Sequence, residues 1–125
     1  CNMDPSECYR LAILQQHGVG FPKDDLRAKE LFHRACEATS IGLGHVACVV
    51  HERVYGGKSS PPPVASFEAV NQMMDPQCAQ GVARACSFMG VAHAALGRRA
   101  EGDRFLATAC KAGDPWACDL QRRMR

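Results

Sequence analysis

Apolar positions along this chain recur at helical spacing. Tyr9, Leu11, Ala12 and Leu14 include i, i+3 pairs, and Ser6, just after Pro5, opens the helix that carries them. His17-Gly18-Val19-Gly20-Phe21-Pro22 ends it, because glycine tolerates a left-handed cap and proline cannot continue a helix. Asp24 or Asp25 then caps a second helix whose buried face is Leu26, Ala28, Leu31, Phe32 and Ala35, with Cys36 in its last turn. Two helices joined by so short a loop pack antiparallel, burying their stripes on each other and on the next pair.

A second unit reads as a helix over 43–55, a loop from Gly56 to Pro63, and a helix over 64–74. The loop's three consecutive prolines are extended rather than helical, and without a P-x-x-P spacing they read as a stiff surface connection, not an SH3-type ligand. A third unit has helices over 82–96 and 100–111 around a Gly97-Arg98-Arg99 turn. A last helix over 115–124 closes the array with Gln121, Arg122, Arg123 and Arg125 as a polar end, the arginines well placed at a helix C-terminus.

Composition narrows the picture. The chain has 125 residues, is 46% hydrophobic but only 6% aromatic, and carries 15 Lys+Arg against 13 Asp+Glu for a formal charge of +2. Scattered basic residues with so small an excess leave no electrostatic footprint for nucleic acid. The longest apolar run, residues 46–50, is far short of the roughly 20 residues of a membrane span.

Eight cysteines, at 1, 8, 36, 48, 78, 86, 110 and 118, fall in couples. No C-x-x-C is present, which removes the usual zinc, thioredoxin and haem-attachment patterns. An even count in couples reads as a disulfide framework from an oxidising compartment, the competing reading being buried thiols acting as small hydrophobes. Cys78 to Cys86 and Cys110 to Cys118 share C-x-x-G-x-x-x-A-C, and Ala47-Cys48 keeps its ending. The second cysteines recur after 40, 38 and 32 positions, periods that point to a solenoid of helical hairpins such as the tetratricopeptide unit of about 34 residues.

Residues 24–36, Asp-Asp-Leu-Arg-Ala-Lys-Glu-Leu-Phe-His-Arg-Ala-Cys, resemble the second helix of a Sel1-like repeat. Residues 8–14 with Gly18-Val19-Gly20 resemble its first helix and glycine loop. Residues 109–120 resemble the closing segment of the Helicobacter cysteine-rich proteins, disulfide-stapled Sel1-like solenoids whose cysteine plan is shared by mitochondrial assembly factors of cytochrome oxidase. The resemblance implies an all-α fold, an α/α superhelix forming one repeat domain over 1–125, with units of about 5–37, 43–77 and 82–112 and a capping helix at 115–124. It also implies the bridges Cys1–Cys8, Cys36–Cys48, Cys78–Cys86 and Cys110–Cys118, each worth roughly 2–3 kcal/mol in the chain-entropy model. Such bridges would substitute for the large aromatics this core lacks.

The chain departs from that pattern in several places. His51 and Glu52 stand where a leucine and a small residue are wanted, and Gly102 replaces a packing alanine. Pro76 predicts that the middle unit's second helix ends early, near Met74. Residues 1–8 look like the tail of a preceding helix, so the N-terminus reads as a boundary or processing site with upstream repeats absent.

Catalytic motifs are absent: there is no G-x-S-x-G, S-x-x-K, H-E-x-x-H or phosphate-binding glycine loop. Resembling proteins have been labelled penicillin-binding or β-lactamase proteins, so a β-lactam-binding or hydrolytic role is the alternative that the resemblance implies. His45, Cys48 and His51 fall three apart and form the one metal candidate, outweighed because Cys48 is wanted for a disulfide. No metal or other cofactor is therefore expected. His17 and His33 read as capping or solvated groups, and His93 as a hydrogen-bonded packing residue.

What remains is a surface. Solenoids of this kind present successive first helices along a concave groove, which would turn Tyr9, Ile13, Gln16, His17, Val49, Arg53, Ser87, Val91, Ala94, Asp119 and Arg123 toward a ligand. Their mixed polarity suits a protein or peptide partner. The expectation is a binding scaffold or adaptor, secreted or periplasmic in a bacterium, with the mitochondrial intermembrane space as second compartment. A lipid on Cys1 would leave Cys8 unpaired and is disfavoured.

Overall fold

The computed structural model describes residues 5–38, 43–56 and 67–124. Among the described residues there are seven α-helices and no strands: α1 (Pro5–His17), α2 (Asp25–Ala38), α3 (Leu43–Tyr55), α4 (Phe67–Ala79), α5 (Ala83–Ala95), α6 (Arg99–Lys111) and α7 (Pro115–Arg123). The chain forms two compact units, Cys1–Phe67 and Glu68–Arg125.

In the first unit α1 packs on α2, and α2 on α3. Asp24 caps α2 by accepting a hydrogen bond from the backbone N–H of Arg27 at 3.0 Å. Ala28, Leu31, Phe32 and Ala35 are fully buried on one stripe of α2 and meet Tyr9, Ala12 and Ile13 of α1 and the apolar run 46–50 of α3 in the unit's core. Leu26, expected on that stripe, is instead 82% exposed. It lies two residues before Ala28, about 200° round the helix, so the periodicity that buries residue 28 turns residue 26 outward.

In the second unit α5 packs on α6 and α6 on α7, while α4 is joined to α5 by the Cys78–Cys86 disulfide. The shared C-x-x-G-x-x-x-A-C run has one physical meaning at both its occurrences. Its first cysteine sits in the last turn of a helix, and its glycine takes a left-handed conformation, φ +91° at Gly81 and +104° at Gly113. The reversal is then closed the same way twice. The N–H of Gly81 donates to Cys78 C=O and that of Val82 to Gln77 C=O, as Gly113 donates to Cys110 and Asp114 to Ala109, all at 3.0–3.1 Å. Ala85 and Ala117, the small residues before the second cysteines, are buried where the returning helix crosses its predecessor.

Pro76 does not end α4 early; the helix continues three residues past it to Ala79. The carbonyl of Gln72 loses its helical donor there, but the next one is served from the side: Gln77 Nε2 donates to Met73 C=O at 3.4 Å. The C-terminal turn holding Cys78 is secured by its disulfide to Cys86 and by the N–H of Gln80 donating to Pro76 C=O at 3.0 Å. These tertiary and local bonds override the proline's tendency to stop a helix.

The glycine at position 102 has a steric cause. A Cβ there would lie 2.8 Å from the carbonyl oxygen of Gly90 and 3.1 Å from the backbone nitrogen of Ala94; a Cβ on Gly90 would lie 2.8 Å from Leu106. The α5–α6 crossing therefore needs two glycines facing each other. Alanine at 102 would gain about 1 kcal/mol in helix propensity, but its clash is with rigid backbone, and such overpacking costs about 1–3 kcal/mol. The clash outweighs the gain. Gly102→Ala is expected to lower stability by about 1 kcal/mol in denaturant unfolding, and an unchanged or higher midpoint would contradict this packing.

Candidate functional site

Three disulfides lie wholly among the described residues, Cys36–Cys48, Cys78–Cys86 and Cys110–Cys118, with Cα–Cα distances of 4.5, 4.7 and 4.7 Å. They join α2 to α3, α4 to α5 and α6 to α7. Cys8 is also disulfide-bonded, whereas Cys1, its expected partner, lies outside the described residues. Bridged Cys48 is not available as a metal ligand, and the side chain of His45 lies outside the described ones. Among the described residues no group of three His, Cys, Asp or Glu is placed to hold a metal ion. No described helix is long and apolar enough to cross a membrane.

The residues expected on a concave face divide sharply. Tyr9, Ile13, Val49, Ser87, Val91 and Ala94 are buried, each at most 4% exposed. Tyr9 meets Phe32 edge-on at 5.8 Å, and α5 is buried continuously from Ala85 to Ala95, so most of these side chains are packing residues with no surface to offer. A helix that is apolar all round sits inside its domain rather than along a groove. Gln16 and His17 are half-buried and Arg53 is exposed. On α7 Asp119 is bracketed by ion pairs from Arg122 and from Arg123, the latter at 2.8 Å. Those arginines balance a carboxylate on their own helix.

A cleft does open in the second unit. The Cys110–Cys118 bridge holds one end of the α6–α7 pair together, and at the other end a space of about 400 Å³ is lined by Ala94, Arg99, Ala100, Asp103, Leu106, Gln121 and Met124. Small side chains at 94 and 100 leave the volume, while Leu106 and Met124 give it apolar wall. Arg99 and Asp103, one turn apart on α6, place opposite charges on its rim. Arg99 Nη2 donates to the Met124 carbonyl at 2.5 Å and so ties α6 to the end of α7 across the mouth. Of these residues sequence reasoning had singled out Ala94 for binding and Gln121 only as part of a polar helix end. The available signal was two alanines beside the Gly97 turn, which leave room where neighbouring helices diverge.

Among the described residues two histidines are buried, one in each unit. His93 stacks on Phe105 at 5.2 Å between centroids, nearly parallel at 8°, and pairs its Nε2 with Asn71 Oδ1 at 3.2 Å. Burial lowers its pKa from the ordinary 6.5, with Arg98 adding to the shift. His51 is packed in a ring cluster, 5.1 Å from His33 and 6.1 Å from Tyr55, and Phe32 links Tyr55 to Tyr9. Its pKa is likewise lowered, first by burial and then by His33 and Lys29. Burial with Asp25 nearby pushes the Tyr55 hydroxyl up to about 12, and burial alone pushes Tyr9 higher than its ordinary value.

Comparisons of the chain with models of protein families, with curated proteins and with solved structures find no match.

A histidine kept neutral by folding binds its proton more tightly when unfolded. Stability is therefore full above about pH 6.5 and falls as the pH drops from there toward the lowered folded-state pKa. Replacing His93 by Leu is expected to flatten this fall in unfolding curves measured between pH 7.5 and 5. An equally steep loss in the variant would show that His93 does not carry it.

Proposed function

We propose that this chain is a Sel1-like, tetratricopeptide-related repeat protein, an α/α superhelix that binds a protein or peptide partner in an oxidising compartment. Secretion or a bacterial periplasm is the favoured location, with the mitochondrial intermembrane space second. Support comes from a bridging plan in which the described disulfides join a hairpin's second helix to the first helix of the next, and bonds of this kind persist outside the reducing cytosol. The observation that carries the binding role is the α5–α6–α7 cleft, with its apolar wall from Leu106 and Met124 and its mixed polar rim of Arg99, Asp103 and Gln121. An apolar pocket with a few convergent polar groups is the ordinary form of a recognition site. Its volume accepts one or two apolar side chains, while the rim offers donors and acceptors to a peptide backbone.

Ala100 lines the cleft yet is exposed on α6, so a larger residue there fills the space without entering the core. Short acetylated, amidated peptides with a central Leu, Met or Phe are expected to bind the intact oxidised chain in fluorescence anisotropy. Those with a central Asp are not. Ala100→Phe is expected to weaken binding at least tenfold, about 1.4 kcal/mol, with the thermal midpoint nearly unchanged. Equal binding of both peptide sets, or full affinity in Ala100→Phe, would contradict the cleft as the site.

A further inference from the structure

His51 is a buried histidine on α3, and the chain surrounds it with groups that respond to its charge. The residue is 4% exposed. From α2 its neighbours are His33, at 5.1 Å between ring centroids, and Lys29; Glu37 reaches the pair through His33, whose Nε2 lies 3.2 Å from Glu37 Oε1. From α3 itself come Glu52 and Tyr55, with Asp25 of α2 acting on the Tyr55 end. The contribution of α1 to this ring cluster is Tyr9, which sits against Phe32. Nδ1 of His33 and the hydroxyl of Tyr55 are both buried without a hydrogen-bond partner among the described residues.

This arrangement tolerates one positive charge and resists two. If His33 is protonated, Nε2–H meets Glu37 but Nδ1–H meets no acceptor among the described residues, so even the half-buried member is only half satisfied. If His51 is protonated as well, two imidazolium rings stand 5.1 Å apart, tilted by 43°, with Glu37 engaging His33. Lys29 adds to the repulsion and Glu52 relieves part of it. A leucine would have packed there with no such response.

We propose that His33 and His51 form a proton-operated latch on the α2–α3 seam. With His51 neutral the seam is closed over Phe32 and Tyr55. Uptake of a proton by His51 drives the rings apart and gives the Tyr55 hydroxyl access to solvent. The Cys36–Cys48 bridge holds the adjoining helix ends, so the opening is local and reversible. The chemistry is one proton bound per latch, with no other bond made or broken. Acidification would thus alter the first unit's surface independently of the cleft in the second.

The test is an NMR titration of the oxidised full chain, following histidine Cε1–H and tyrosine ring resonances from pH 8 to 5. The latch predicts a His51 midpoint below 6.5, with the Tyr55 signals and the amides of α2 and α3 shifting at that same midpoint. His33→Gln is expected to raise the His51 midpoint toward 6.5, because a neighbouring positive charge is gone, while the His93 midpoint stays in place. His51→Leu is expected to abolish the Tyr55 response. Tyr55 signals that do not move as His51 titrates, or that move equally in His51→Leu, overturn the proposal. Should His51→Leu not fold, an unmoved His51 midpoint in folded His33→Gln overturns it as well.

Discussion

The structure depends on one local constraint: a helix that ends must be turned back and held beside the helix that follows. The left-handed glycines at 81 and 113 make the reversal sterically possible, and the paired backbone hydrogen bonds close it. The disulfides then fix the last turn of one helix to the next, with Cα atoms 4.5–4.7 Å apart. Each bond spans only 8 or 12 residues of sequence, so the chain is organised by contacts between neighbours. That locality explains how a core poor in aromatic residues holds its helices: the covalent bonds do at every second junction what large side chains do elsewhere.

Open space follows where helices are pinned at one end by a bridge, and close packing where helices meet without one. Between α5 and α6 two facing glycines let the backbones converge until no Cβ fits. Between α6 and α7 the bridge lies at one end, and alanines at 94 and 100 leave a cleft toward the other, spanned by Arg99. In the first unit the seam beside the bridge is filled by the polar rings of His33, His51 and Tyr55. Recess and titratable cluster thus lie within stapled pairs, and the tight contact lies between two helices that no bridge joins.

Much of the helical layout was legible in the sequence because apolar spacing and turn chemistry agreed. Asp24, the Gly18 region and the repeated C-x-x-G-x-x-x-A-C run each mark a helix end for a reason that acts within a few residues. Reading failed where the deciding contact is distant. Pro76 stops a helix locally, yet Gln77 and the disulfide from Cys78 to Cys86 on the next helix carry α4 past it. Leu26 looked like core but lies off the stripe that Ala28, Leu31 and Ala35 define. Tyr9, Ile13, Val49, Ser87 and Val91 were placed on a surface because first helices of a solenoid line its groove. A helix such as α5, buried continuously from Ala85 to Ala95, offers no such face. Most of the cleft was invisible for the converse reason: its defining feature is the absence of bulk at two alanines.

Peptide mapping of the intact chain under non-reducing conditions tests the constraint most directly. Proteolysis without reductant should release linked peptides containing Cys36 with Cys48, Cys78 with Cys86, and Cys110 with Cys118. A bond between couples, such as Cys48 with Cys78, or free thiols at these six positions, would contradict an architecture built by joining each helix end to the next helix.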